Sequence, residues 1–438
     1  MKEIKKAWVV AVDMGYGHQR AAYPLKDIAY QRIITANSDK IILPKEKKMW
    51  TRAQNFYEKV SRGSSNIFGR IFFNLFDRIQ SISPYYPYRD LSKPNIIVNY
   101  IDSKIKKGLA KSTIDFVKSK KLPFVTTFFI PAIAAFYAKI PDIYCVVTDS
   151  DINRAWVAKE AKKSRINYLA PTQHTVRRLL SYGVPKDRIF LTGFPLPKEN
   201  LGGRGLSILK KDIGNRLPNL DPKKNFIKRY KEVITKNIGV EALRKKSDHV
   251  LTITFVVGGA GAQKEIAVTI LRSLKSKILR GEVRFNLVAG IRIEVKTYFE
   301  EQTQKLGLSK RLGKNINIIF GLDKKTYFYE FNMCLRKTDI LWTKPSELSF
   351  YAGLGIPLIL TPPIGAQEFY NRKWLHNIGA GHLQEDPKYT NEWLYDWIEE
   401  GILAEACWKG FLEAPKLGTY NIEELVFSKN KKKFYFDL

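Results

Sequence analysis

The sequence predicts an α/β protein built from two similar domains with a cleft between them. Three observations lead there: two glycine-rich turns about one domain apart, a Val-rich apolar run before each turn with a helical pattern after it, and short β-type runs alternating with longer helical stretches on both sides. The first turn is Asp13-Met14-Gly15-Tyr16-Gly17-His18 and the second is Gly258-Gly259-Ala260-Gly261-Ala262-Gln263. A strand, a glycine turn and a helix start, in that order, bring backbone N–H groups and a helix N-terminus to a place where an anion or a sugar can sit.

In the first half, Ala7 to Val12, Phe124 to Phe129, Ile143 to Thr148, Tyr168 to Pro171 and Ile189 to Thr192 read as strands separated by helices, which predicts a mostly parallel sheet over 1–198. From Leu201 to Val250 the composition shifts to 13 Lys plus Arg against 5 Asp plus Glu, with Gly202-Gly203, Pro218 and Pro222 as breakers. That stretch, 199–249, reads as a basic, mostly solvated linker with helical insertions. The alternation resumes with Leu251 to Val257, Arg284 to Ala289, Asn317 to Phe320, Ile340 to Thr343 and Pro357 to Thr361, giving a second α/β domain over 250–385. After Asp386 the pattern turns helical and aromatic, with Trp393, Trp397 and Trp408, so 386–438 is expected to form helices that pack back on the first domain and end in a basic tail.

The chain has 438 residues, enough for two cores, and 74 Lys plus Arg against 42 Asp plus Glu leave a net charge of +32. Such a surface attracts polyanions or anionic lipid headgroups, although a general basic bias produces the same balance. The basic residues are scattered and form no recognisable nucleic-acid module, so no specific nucleic acid is expected as a partner. Three widely spaced cysteines, Cys145, Cys334 and Cys407, form no CxxC pair; they predict a reducing, cytoplasmic compartment and no metal site. The apolar run from Ala7 ends at Asp13, far short of a signal-peptide core, and no run approaches a membrane span. Apolar residues at 67, 68, 71, 72, 75, 76 and 79 mark an amphipathic helix over 66–80. It either packs on the domain core or, with lysines and arginines before it and Tyr85, Tyr86 and Tyr88 after it, lies on an anionic membrane surface, which would make the protein peripheral on the inner face of the plasma membrane.

Several segments together resemble a known family. Asp13 to Leu25, DMGYGHQRAAYPL, is similar to the SDTGGGHRASA-type loop of the monogalactosyldiacylglycerol synthases, which belong to a group of GT-B glycosyltransferases with the processive diacylglycerol glucosyltransferases and, more distantly, the N-acetylglucosaminyltransferase that forms lipid II. Val146 to Trp156, VVTDSDINRAW, resembles the group's VVTDF…H…W segment, and Leu169 to Pro195 resembles its stretch ending in V-T-G-x-P. In the second half Phe255 to Gln263 matches GGxGA, and Asp339 to Asn371 resembles the D-x-x-x-T-K-P-G…E…G-x-P…Q-E-x-x-N signature. The resemblance runs from about residue 7 to about 385.

It implies a GT-B fold, two Rossmann-like domains facing across a cleft, and transfer of a hexosyl group, with inversion, from a nucleotide sugar, UDP-linked, to a lipid or other glycan acceptor near a membrane. No cofactor or metal is implied beyond the donor itself. On the donor side the matching residues are Gly258, Gly259, Gly261, Gln263, Phe320, Lys344, Ser346, Glu347, Gln367, Glu368 and Asn371. The glycines let backbone approach phosphate, the lysine adds a cation, and the amides and carboxylates can hold sugar hydroxyls. On the acceptor side the catalytic candidates are His18, Asp13 and Asp149, beside Gly15, Gly17, Asp151, Asn153 and Trp156. His18 opens a helix, whose dipole favours the neutral, proton-accepting imidazole; the bland alternative is a capping or core histidine. Asp13, Asp149 and Asp151 are each a candidate base or a helix cap, and Trp156 stacks on a sugar or fills core. Asp149-Ser150-Asp151 has a DxD spelling but lies on the acceptor side and is discounted as a metal site.

Two departures stand out. Asn153 replaces a histidine common in relatives, and Ser346-Glu347 replaces paired glycines, with the stretch to Pro357 about two residues short. Phe350 then falls where a ribose-binding glutamate is expected, which leaves a catalytically degenerate GT-B protein with a regulatory or structural role as the alternative.

Overall fold

The computed structural model describes residues 5–61, 82–258, 261, 263–363 and 366–431. The helix expected over 66–80, Gly259, and Lys432 and Lys433 of the tail lie outside them. The chain divides into two compact units, Met1–Pro195 with Gly365–Tyr370 and Leu417–Leu438, and Leu196–Ile364 with Asn371–Lys416. Each holds one parallel six-stranded sheet, so the α/β class and the two Rossmann-like domains expected of a GT-B chain are both present.

In the first unit the strands are β1 (Ala7–Ala11), β2 (Ala29–Thr35), β3 (Phe124–Thr126), β4 (Ile143–Val146), β5 (Ile166–Ala170) and β6 (Ile189–Leu191), in the order β2-β1-β3-β4-β5-β6. Every residue of β1 is buried, because helices cover both faces of a parallel sheet. Its side chains alternate accordingly: Trp8 and Val10 enter one core, with Phe124, Ile143 and Trp156, while Ala7, Val9 and Ala11 enter the other. The helix Gly418–Phe427 closes that second core with Ile422, Leu425 and Val426. The apolar run after β3 folds as the helix Phe129–Tyr137.

In the second unit β7 (Leu251–Val256), β8 (Val283–Gly290), β9 (Ile316–Phe320), β10 (Ile340–Thr343), β11 (Leu358–Leu360) and β12 (Gly381–Leu383) are ordered β12-β11-β10-β7-β8-β9. Counted from the domain's own first strand and read from the opposite edge, this is 3-2-1-4-5-6, the dinucleotide-binding order.

Two stretches differ from their sequence reading. The supposed solvated linker, 199–249, contains the helices Ser207–Leu220 and Asn225–Ile238, with Leu209, Ile213, Leu217, Leu220, Phe226, Ile234 and Ile238 buried in the second unit. The apolar spacing is helical, and the high lysine count hid it. Of the C-terminal helices, Thr390–Glu399 and Ile402–Glu413 belong to the second unit, and only Gly418–Phe427 belongs to the first. The helix Ile402–Glu413 lies so close to the second unit's core that a Cβ on Gly410 would sit 2.5 Å from the Ala352 carbonyl oxygen.

The N-terminal ends of β7 and β10 are joined by His249, whose imidazole is 5 % exposed. His249 has Nε2 3.2 Å from Asp339 Oδ1 and Nδ1 2.6 Å from Asp248 Oδ1, and Asp339 also accepts from the Thr252 amide at 2.8 Å. Burial alone would lower the imidazole pKa, but the two carboxylates outweigh it and hold it above the ordinary value. A histidine raised on folding stabilises fully below its unfolded pKa, about 6.5, and that contribution fades as pH rises through the folded value. The stability gap between the wild type and His249→Gln, followed by urea unfolding, is therefore expected to be widest near pH 6 and to narrow as pH increases.

Candidate functional site

In open α/β sheets ligands bind beyond the C-terminal ends of the strands, where the strand order reverses. In the second unit that point lies between β7 and β10. The turn after β7 brings Gly258 against Lys344, which follows β10: a Cβ on Gly258 would meet Lys344 Cε at 3.2 Å. Gly261 takes φ +75°, in the left-handed region that favours glycine, and borders Val295. Gln263 adopts φ +66° without being glycine, at the residue before the helix Lys264–Ser273, and makes no capping hydrogen bond to it. Its side chain is locked onto the loop after β11: the Thr361 hydroxyl donates to Gln263 Oε1 at 2.7 Å, and Gln263 Nε2 donates to the Pro362 carbonyl at 3.3 Å. The turn after β7 is therefore tied to the next loops of the switch point by side chains of this chain alone.

The other donor-side candidates divide. Ser346 caps the 3-10 helix Glu347–Leu354, accepting from the Leu348 amide, so its hydroxyl has a structural duty. Glu347 is half-buried at the start of that helix. Phe350, at the position expected for a glutamate, is buried with its ring 5.0 Å from Trp374. Phe320 ends β9 with the Lys296 ammonium 5.5 Å from its ring, and the Gly321 amide donates to the Gly290 carbonyl at 2.9 Å. Asn371 is buried in the second unit, whereas Gln367 and Glu368, on the same helix Ala366–Asn377, group with the first unit.

In the first unit the order reverses between β1 and β3, and His18 sits there. The helix it belongs to, Gly17–Ala22, has only six residues, and what orients the ring is a carbonyl rather than a helix dipole. His18 Nδ1 lies 2.8 Å from the Thr127 carbonyl oxygen, just past β3, while the Thr127 hydroxyl donates back to the His18 carbonyl at 2.8 Å. A carbonyl can only accept, so Nδ1 carries the proton and Nε2 is the basic nitrogen of the neutral ring. The Thr148 hydroxyl, past β4, is 3.4 Å from the same Nδ1, and the Phe128 ring packs edge-on at 4.7 Å.

Asp13 is fixed through its backbone: Asn37 Oδ1 accepts from the Asp13 amide at 2.8 Å and Asn37 Nδ2 donates to its carbonyl at 2.9 Å. Gly15 turns the chain with φ +86°, and Gly17 opens the helix. Asp149 is half-buried and its carbonyl accepts from the Thr175 hydroxyl at 3.4 Å. Asp151 has another task. It is fully buried and accepts from Arg178 Nε at 2.8 Å, Arg178 NH2 at 2.7 Å and His174 Nε2 at 2.8 Å. Burial would raise its carboxyl, but these hydrogen bonds win and hold it below the usual carboxylate range. A carboxylate so engaged is a poor proton acceptor and is saturated against a metal ion, which removes it from the candidate bases. Asn153 caps a 3-10 turn through the Ala155 amide, and Trp156 is core, 2 % exposed. Asn37 and Thr127 had no signal in the sequence, and Thr148 and Arg178, though inside family-like segments, were not singled out, because each acts through partners distant along the chain.

Among the described residues no group of three His, Cys, Asp or Glu is arranged to hold a metal ion, and no helix is long and apolar enough to cross a membrane. No family model matches the chain, and no curated protein does. Solved structures that resemble it include Staphylococcus aureus MnaA with UDP, at 14 % identity and TM-score 0.47 with 96 % of each chain covered. The Methanocaldococcus jannaschii UDP-GlcNAc 2-epimerase with UDP-GlcNAc and UDP matches at 14 % identity and TM-score 0.44, covering 97 % of this chain and 100 % of that one. Anabaena HepE with UDP matches at 12 % identity and TM-score 0.39, covering 96 % and 98 %.

Proposed function

We propose that this chain is a metal-independent, inverting glycosyltransferase that moves a hexosyl group from a UDP-sugar to the hydroxyl of a lipid or other membrane-proximal glycan acceptor. One observation carries the reading: at the switch point of a 3-2-1-4-5-6 sheet, Gly258 leaves space against which Lys344 lies. A diphosphate there would meet the bare backbone at Gly258 and one ammonium, a fixed positive charge for the negative charge that develops on the leaving group. On the first domain, His18 Nε2 would take the acceptor hydroxyl's proton as the new C1–O bond forms and the bond from C1 to the diphosphate breaks. The motif order shared with the monogalactosyldiacylglycerol synthase group supports the same assignment.

Calorimetry with UDP-sugars in the absence of divalent metal tests it; no binding by any of them overturns the reading. Lys344→Met is expected to weaken UDP binding about 10- to 100-fold, since a hydrogen bond to a charged group contributes about 1.5–3 kcal/mol. Buried Phe350 favours a second reading, a nucleotide binder without turnover, which binding without transfer over a broad acceptor panel would support. The membrane-proximal acceptor rests on the amphipathic pattern at 66–80. Liposome flotation is expected to lose the protein when Phe72 and Phe76 are both replaced by serine, and unchanged flotation removes that part of the proposal.

A further inference from the structure

The segment that follows residue 82 is strapped to the first domain by Arg154, whose guanidinium donates to the Ser92 carbonyl at 2.9 Å and to those of Val157 and Ala158 at 2.7 and 3.2 Å. The strap holds three tyrosines in mutual contact, with Tyr85 5.0 Å from Tyr86 and 5.3 Å from Tyr88, ring centre to ring centre. Tyr85 packs on His174 at 4.8 Å, and the Arg178 guanidinium lies 5.2 Å from its ring centre. Between the strap and the helix Gln173–Ser181 is a cavity of about 320 Å³, lined among others by Tyr85, Tyr88, Arg89, Arg177 and Arg178.

Two features of this cavity call for a ligand. Arg178 is fully buried, with Nε and NH2 on Asp151, but its NH1 is buried with no hydrogen-bond partner among the described residues. A buried N–H without an acceptor costs about 1–3 kcal/mol, and native proteins leave few of them. Around it stand two further cations, Arg89 and Arg177, both exposed, and the ring of Tyr88, 71 % exposed. Asp151 already neutralises Arg178, so Arg89 and Arg177 leave the cavity positive. Arginines select oxyanions, and an exposed tyrosine face takes the C–H face of a pyranose.

We propose that this cavity binds an anionic saccharide, a sugar ring bearing a phosphate or a carboxylate, with the oxyanion on Arg177 and Arg178 and the ring on Tyr85 and Tyr88. The residues that line it differ from those packed around His18, and it does not depend on any transfer activity. Because Arg178 also fixes Asp151, an occupant would brace the loop after β4 that carries Asp149.

The test is calorimetric titration of the full chain with glucose 6-phosphate and with glucuronate, against glucose and inorganic phosphate. The expected result is binding of at least one anionic sugar, at least tenfold tighter than glucose or phosphate alone, weakened about tenfold in each of Arg177→Gln and Tyr88→Ala. The two anionic sugars distinguish phosphate from carboxylate as the group selected. Both substitutions are at exposed positions, and an unchanged melting temperature for each shows that the fold is intact. Absence of binding by both anionic sugars, binding unaffected by both substitutions, or inorganic phosphate binding as tightly as the sugar phosphate would each overturn the proposal.

Discussion

His18→Gln is expected to lower kcat for sugar transfer by about 100- to 10,000-fold, the usual contribution of a positioned general base, while UDP binding stays within twofold. Glutamine approximates the size of imidazole and carries an amide to the Nε2 position, but it offers no basic nitrogen there. The specific geometry is the bond from Nδ1 to that carbonyl at 2.8 Å, which places the lone pair on Nε2. A core histidine would behave differently. His18 also packs against Phe128, so a purely structural role predicts a lower melting temperature with kcat per folded molecule unchanged, and that outcome would sink the assignment. Asp149→Asn serves as the companion variant: if it lowers kcat as much while His18→Gln does not, the base is the carboxylate. Asp151→Asn is expected to act on stability instead, since it removes the charge that Arg178 faces inside the core.

The α/β class and ten of the twelve strands among the described residues were legible in the sequence, because parallel strands buried on both faces read as short apolar runs. The two missing strands are marginal for identifiable reasons. β2 is an edge strand carrying Gln31 at φ +62° and Arg32, which break its alternation, and β12 is three residues long with an exposed Leu383. Charge was the main source of misreading. Lysine density between 201 and 250 suggested solvation, yet Leu209, Ile213, Leu217 and Leu220 form a buried stripe there. Asp151 in a DSD triplet looked available for chemistry, and only the fold brings Arg178 and His174 onto it. The residues that position the site, Asn37, Thr127 and Thr148, are ordinary polar residues at strand ends. Their partners lie 24 to 130 positions away along the chain, beyond the reach of any local pattern.

Arg216→Met is expected to destabilise the second domain by about 3–5 kcal/mol and to lower its melting temperature by on the order of 10 °C. Arg216 is 2 % exposed, in a helix the sequence presents as linker. Its guanidinium donates to four carbonyls: Thr338 at 2.7 Å, Gly355 at 2.8 Å, Leu354 at 3.0 Å and Leu335 at 3.4 Å. Those oxygens close the helix Lys324–Leu335 and the 3-10 helix Glu347–Leu354, whose last carbonyls have no partner within their own helix and carry the negative end of its dipole. Methionine fills similar volume but removes the donor from all four oxygens in a dry interior; Leu335 keeps the Thr338 amide at 3.2 Å and Gly355 keeps the Cys407 thiol at 3.0 Å, so the cost of about 1–3 kcal/mol each falls on the Thr338 and Leu354 carbonyls. The two helix ends also lead into β10 and β11, the strands that present Lys344 and Thr361. UDP binding should therefore weaken in Arg216→Met even at temperatures where the domain stays folded. Arg216→Lys keeps the charge but not the planar fork, so it should recover only part of the stability. Equal stability of Arg216→Met and the wild type in guanidinium unfolding would mean that the four carbonyls find other donors, and that the helix Ser207–Leu220 holds the domain through its apolar face alone.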